Sequence, residues 1–141
     1  MPQLIEPIDA IARAKKRDAL YIQFHPLDYY DNLSASGNYD YVADVTRKRV
    51  LNWLAANEIP WVESAPMAEQ HGVLFMGYVG DVYIDVPFDD ADPQYCLVRD
   101  YLENPDGTMR NVNVRFWALS LTLAMEYAHH DEPGYWDRMF G

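Results

Sequence analysis

"GVLFMGYVGDVYIDVPF", residues 72–88, sets two runs rich in β-branched and aromatic residues on either side of Gly80-Asp81, a turn dipeptide. The pattern predicts a β-hairpin. In its second arm Val82, Ile84, Val86 and Phe88 point one way, and Tyr83 and Asp85 the other. Directly after it, "VPFDDADPQY" (86–95) crowds Asp89, Asp90 and Asp92 ahead of Pro93. Asp92-Pro93 has the form of an N-cap followed by the first helical position, which predicts a helix over 93–103 with Tyr95, Val98 and Leu102 on its buried stripe.

Outward from this centre the chain continues to alternate. Residues 6–17 predict a first helix, with Ile8, Ile11 and Ala12 on one face and Arg13, Lys15, Lys16 and Arg17 towards its C-terminal end. "ALYIQF" (19–24) predicts a buried strand stopped by Pro26. A helix over about 41–57, capped by Asn38 or Asp40, buries Val42, Val45, Val50, Trp53 and Leu54, with Arg47, Lys48 and Arg49 solvated. "PWVES" (60–64) suits a short strand, and "NPDG" (104–107) a turn. In "MRNVNVRFWA" Val112, Val114, Phe116 and Ala118 alternate inward against Asn111, Asn113, Arg115 and Trp117. A last helix covers 119–130 and ends before Pro133-Gly134. The expected fold is α+β (or α/β): a single domain over residues 1–141 with a mixed four- to five-stranded sheet, a central β-hairpin and about four packed helices.

The 141 residues are half apolar, enough for a core and too apolar for a disordered chain. No apolar run reaches the roughly 18–20 residues of a membrane span, and the acidic N-terminus lacks the layout of a secretory signal. Cys96 stands alone, so no internal disulfide or cysteine-rich zinc site is expected. These features predict a cytoplasmic protein.

The net charge of −11 is uneven. Residues 61–109 hold ten acids against Arg99 alone, whereas the segments on either side are each net −1. Such a field repels nucleic-acid phosphates and anionic lipid, and attracts basic proteins. An acidic surface beside aromatics needs no special spacing. Tyr83, Asp85, Phe88, Asp89 and Asp90 are therefore the expected partner-binding residues, joined by Tyr29, Tyr30 and Asp31 of the loop that follows the first strand. Asp85 is expected to stay unpaired and to extend the acidic face as far as Asp90, with strands 72–88 and 110–118 apart in the sheet.

Two stretches bring together residue types used in catalysis. His25 with Asp28 or Asp31 offers a general base and an orienting carboxylate. His129, His130, Asp131 and Glu132 offer metal-ligand types, but adjacent helical residues point about 100° apart and no metal-binding spacing is present. "DDADPQYCLVRD" lacks the layout of a calcium loop, and "GYVGD" turns into a strand where a phosphate loop would enter a helix. No cofactor or metal is expected.

In size, acidity, aromatic content and lack of catalytic motifs, the chain resembles bacterial immunity proteins and other small inhibitors of basic toxins or nucleases. That resemblance implies an acidic surface that occupies a basic active site by mimicking its anionic substrate. The alternative expectation is a small metal-assisted or acid–base enzyme using His25 or the His129–Glu132 cluster. A third is an accessory subunit with an acidic docking face.

Overall fold

The computed structural model describes residues 6–25, 39–63, 80–126 and 128–131. In chain order they form α1 (Glu6–Lys15), β1 (Ala19–Gln23), α2 (Val45–Ala56), β2 (Trp61–Glu63), β3 (Val82–Ile84), α3 (Pro93–Leu102), β4 (Arg115–Leu119) and α4 (Leu121–Met125), followed by a 3₁₀ turn at Ala128–Asp131. The class is α+β, with four strands and four α-helices among the described residues. None of these helices is long and apolar enough to cross a membrane.

The strands lie in the order β2-β3-β1-β4, and every neighbouring pair is antiparallel. A mixed sheet was the expectation, and the connections explain the difference. β1 and β2 run parallel to each other with β3 between them, and β3 and β4 run parallel with β1 between them. Each helical crossover, through α2 or α3, returns one strand away, and an antiparallel strand fills the gap. The segment β1-α2-β2-β3-α3-β4 is thus a pair of interlocked split β-α-β units, the ferredoxin-like topology. That topology hosts many unrelated activities and assigns none.

Both edges of β3 are occupied. Leu20, Tyr21 and Ile22 of β1 face Ile84, Tyr83 and Val82 on one side, and Trp61, Val62 and Glu63 of β2 face the same three residues on the other. A hairpin about Gly80-Asp81 therefore cannot pair along 82–84, and its expected first arm, 72–79, lies outside the described residues. The consecutive antiparallel strands of this sheet are β2 and β3.

α2 and α3 share one face. Leu20, Ile22, Val82 and Ile84 pack there against Val50 and Leu54 of α2 and against Tyr95, Val98 and Leu102 of α3, the stripe predicted from sequence. The rings of Trp53 and Tyr101 stack 4.0 Å apart and nearly parallel, joining the two helices side by side. The opposite face carries a second, smaller cluster. Ala12 of α1 and Ala124 of α4 bring those helices down onto Ala19 and Tyr83. Arg13, from the basic end of α1, is buried there and donates to the Ala124 carbonyl oxygen at 2.8 Å, satisfying an acceptor near the C-terminus of α4. β4 starts later than expected. Residues 111–113 form a turn and leave Val112 exposed, while Val114 is buried and Phe116 half-buried on the α2/α3 side.

Local chemistry sets the helix starts. Asp92 accepts from the Tyr95 N–H at 2.9 Å, and Pro93 opens α3. α2 is capped by Asp44, which accepts from the N–H groups of Thr46 and Arg47, and not by Asn38 or Asp40. Asp40 instead folds the preceding turn by accepting from Val42 N–H at 3.0 Å. Gly80 has φ +94, and a Cβ placed on it would stand 2.5 Å from Cβ of Tyr41. Its carbonyl oxygen accepts from Arg47 Nε at 3.0 Å. Two substitutions should rank accordingly in urea unfolding. Asp92→Ala should lower stability by about 1 kcal/mol through loss of the cap. Gly80→Ala should lower it by about 2 kcal/mol or more, since it combines a left-handed backbone with a steric clash.

Candidate functional site

The expected partner-binding residues separate into three environments. Tyr29, Tyr30 and Asp31 lie outside the described residues, as does Asp28. Tyr83 is 3% exposed, beneath α1 and α4. The alternation of β3 had placed it on an open face, but two helices cover that face.

Asp85 is not an unpaired acid. It accepts from Arg17 Nη2 at 2.8 Å, Tyr83 Oη at 2.9 Å and Lys15 Nζ at 3.3 Å. Burial alone would raise its pKa; the hydrogen bonds from Tyr83 and Lys15 and the charges of Lys15 and Arg17 outweigh burial and hold it below the usual carboxylate range. Asp85 thus ties the end of α1 to the sheet. The basic end of α1 neutralises the acid that was expected to lengthen the docking face. β3 and β4 are apart as expected, with β1 between them, and Arg115 makes its contacts elsewhere.

Phe88, Asp89 and Asp90 are exposed. Phe88 is 48% exposed and its ring leans on Tyr95, centroids 5.3 Å apart. Asp89 accepts from the Ala91 N–H at 2.9 Å, and its backbone carbonyl accepts from Asp92 N–H at 2.9 Å, so the acidic turn is rigidly drawn. Cys96 Sγ reaches the Asp90 carbonyl oxygen at 3.1 Å, and Arg99 Nη1 lies 3.6 Å from the Asp90 carboxylate. The turn is therefore fastened over the start of α3. The outer side of that helix continues the surface, because Pro93, Leu97 and Asp100 recur at helical spacing and all are exposed. Leu97 is 47% exposed. Leu97 and Asp100 were not among the expected residues, although the buried stripe Tyr95/Val98/Leu102 already left them on the outward side. The result is an acidic surface with apolar side chains in it, crossed by Arg99, which also pairs with Asp100 at 3.1 Å.

The described histidines are in different settings. His129 is exposed on the 3₁₀ turn; the side chain of His130, and Glu132, are not among those described. No group of three or more His, Cys, Asp and Glu side chains converges as a metal site among the described residues. His25 is 4% exposed at the end of β1, and Arg115 Nη2 lies 3.1 Å from its Nδ1 and 2.5 Å from its carbonyl oxygen. A guanidinium only donates, so Nδ1 is the acceptor in this contact.

Beside this pair is the polar end of the sheet. Trp117 Nε1 donates to Gln23 Oε1 at 2.8 Å, which turns the other end of that amide, Nε2, towards Asp81 Oδ2 at 3.3 Å. Asp81 is 6% exposed. Burial pushes its carboxyl up to about 6, against the opposing effects of the Gln23 hydrogen bond and of the Arg115 and Arg47 charges. Tyr21 is pushed up to about 12 by its own burial and by the charge of Asp81. Arg47, expected on a solvated face, is buried against the Tyr41 ring and reaches Glu63 at 3.4 Å. A cleft of about 390 Å³ lies nearby, walled by Phe24, Tyr39 and Asp44, among others. Both of its acids, Asp40 and Asp44, are already engaged: Asp44 takes the Tyr39 hydroxyl hydrogen at 2.7 Å and caps α2, and Asp40 accepts from the Val42 N–H at 3.0 Å.

Comparison with protein families, with curated proteins and with solved structures finds no match for this chain. The reading of the surface therefore rests on its own chemistry.

The buried acid has a measurable consequence. Between about pH 4 and pH 6 the folded protein holds the Asp81 proton that the unfolded chain has already lost. The stability from this group is complete below that window and falls as pH rises through it, by on the order of 3 kcal/mol. Asp81→Asn keeps an oxygen for Gln23 and stays neutral. Its urea midpoint should match wild type near pH 4 and exceed it increasingly up to pH 7. A parallel pH dependence of the two proteins would show that Asp81 titrates as in solvent.

Proposed function

We propose that this protein is an immunity- or antitoxin-type inhibitor. It binds a basic toxin or nuclease domain in the cytoplasm and blocks its active site. The observation that supports this most is the surface of residues 88–100. There Asp89, Asp90 and Asp100 flank exposed Phe88 and Leu97 on a turn and helix fastened to the core. Acids around an apolar centre suit a partner whose basic rim surrounds an apolar or aromatic pocket. The charges steer encounter, and the buried Phe and Leu slow dissociation. Most of the net charge of −11 comes from the same third of the chain, so the long-range field favours the same approach.

The enzyme reading has less support. The Nδ1 of His25 is engaged by Arg115, which denies that nitrogen to a substrate proton while the contact lasts. An accessory-subunit role would use the same acidic surface and differs only in what binding does to the partner.

The test starts from the immobilised wild-type chain and the Asp89→Lys/Asp90→Lys variant, each exposed to lysate of the source organism at low salt. The wild-type chain should retain a basic protein whose toxic or nuclease activity disappears at one equivalent. The variant should fold normally and associate about tenfold or more slowly, with the gap closing as salt rises to about 0.5 M. Equal association rates at low salt would remove the 88–100 surface from the interface. A captured partner that stays fully active at saturation would favour the accessory-subunit role.

A further inference from the structure

Among the described residues Arg17 pairs with Asp85, Arg47 with Glu63, and Arg99 with Asp90 and Asp100. Neither Arg49 nor Arg110 forms an ion pair among the described residues, in a chain with twice as many acids as bases. Both line the same cleft, about 330 Å³ in volume, between α2, α3 and the segment that leads into β4.

The cleft is built from fixed parts. Arg49 lies one turn after Thr46 on α2, so both side chains meet the same side of the cleft. Arg110 is held on the other wall by neutral acceptors. Its Nε donates to the Asp100 carbonyl oxygen at 3.1 Å, its Nη1 to Asn104 Oδ1 at 3.4 Å, and its backbone N–H to the Leu102 carbonyl oxygen at 3.0 Å. These contacts orient the guanidinium and leave its charge in place. Asn111 adds an amide to the polar rim, while Tyr101 and Leu102 of α3 form an apolar wall. The stack of Tyr101 on Trp53 fixes that wall in position.

We propose that this cleft binds a small aromatic oxyanion, a planar apolar body carrying a phosphate or carboxylate. The oxyanion sits between the guanidiniums of Arg49 and Arg110, and the ring lies against Tyr101 and Leu102. Guanidinium donors suit such oxygens in number and planarity, and a charge-assisted contact is about twice as strong as a neutral one. The volume is at the small end of ligand clefts, which span roughly 300–1,000 Å³, so one ring with one charged group is the fitting size. The overall negative field repels a bare anion. The ring's apolar contact is therefore required, and the site should discriminate against inorganic phosphate. This site borders the acidic surface at Asp100, whose carbonyl oxygen holds Arg110, but its test does not involve the protein partner.

The probe is phenyl phosphate, titrated into isotope-labelled full-length protein and followed by amide chemical shifts and by Trp53 fluorescence. Saturable shifts should be confined to residues 46–54, 101–104 and 109–114. Benzoate should give the same map, while inorganic phosphate and benzyl alcohol should each bind about tenfold or more weakly. Arg49→Gln and Arg110→Gln should each weaken phenyl phosphate about fivefold or more. Arg49 is exposed, so its variant keeps the fold and the result stays interpretable even if Arg110→Gln perturbs the turn. No saturation up to about 10 mM, shifts outside the cleft, benzyl alcohol binding as tightly as phenyl phosphate, or unchanged affinity in Arg49→Gln would each overturn the proposal.

Discussion

The three residues of β3 have no free side. Val82, Tyr83 and Ile84 are hydrogen-bonded to strands on both edges and covered by helices on both faces. A three-residue strand cannot hold its place by its own ladder. It stays because every other element is arranged around it. β1 and β2 supply its edges, α2 and α3 cover Val82 and Ile84, and α1 and α4 cover Tyr83. The split β-α-β order follows from this demand, because one strand must enter between two that are joined by a helix.

This arrangement also divides the charges. Acids near the sheet are drawn into structural work. Asp85 holds the end of α1, Asp18 accepts from the Leu121 N–H at 2.8 Å and sets the start of α4, and Asp44 and Asp92 cap helices. The acids left exposed at 88–100 lie where the chain leaves β3 and turns into α3, and among the described residues Asp90 and Asp100 pair with Arg99 and not with the basic end of α1. The candidate docking surface is therefore narrower than the net charge of its segment implies, and it includes the apolar outer side of α3. Basic residues divide in the same way. Arg13 and Arg47 are buried in the structure, whereas Arg49 and Arg110 keep their charge at a cleft.

At the polar end of the sheet, groups from several elements converge on a buried acid. Trp117 orients Gln23, Gln23 donates to Asp81, and Arg115 and Arg47 add favourable charge from two other elements. Burial still dominates, so the carboxyl favours its proton. Asp85 takes a direct, charge-assisted bond from the Arg17 guanidinium, whereas the amide of Gln23 gives Asp81 a weaker, neutral one.

What the sequence by itself determined here is local. The Asp92-Pro93 start of α3, its stripe of Tyr95, Val98 and Leu102, the extent of β1 and the turn at 104–107 each depend on residues a few positions apart, and each is present. The cap of α2 lies a few residues later than expected, because Asp40 and Asp44 carry the same local signal and Asp40 closes the turn that precedes the helix. Only the tertiary structure decided which side of a strand stays open and which charge finds a partner. Alternation along β3 reports two faces but not that α1 and α4, from the two ends of the described chain, cover the second. The charge of Asp85 is answered by Arg17, 68 positions away, and the ring of His25 by Arg115, 90 positions away. Periodicity and capping act over one or two helical turns, whereas burial and pairing depend on how the chain returns to itself. The surface of residues 88–90 could be named from composition, but its continuation through Leu97 and Asp100, and the loss of Tyr83 and Asp85 from it, follow from packing alone.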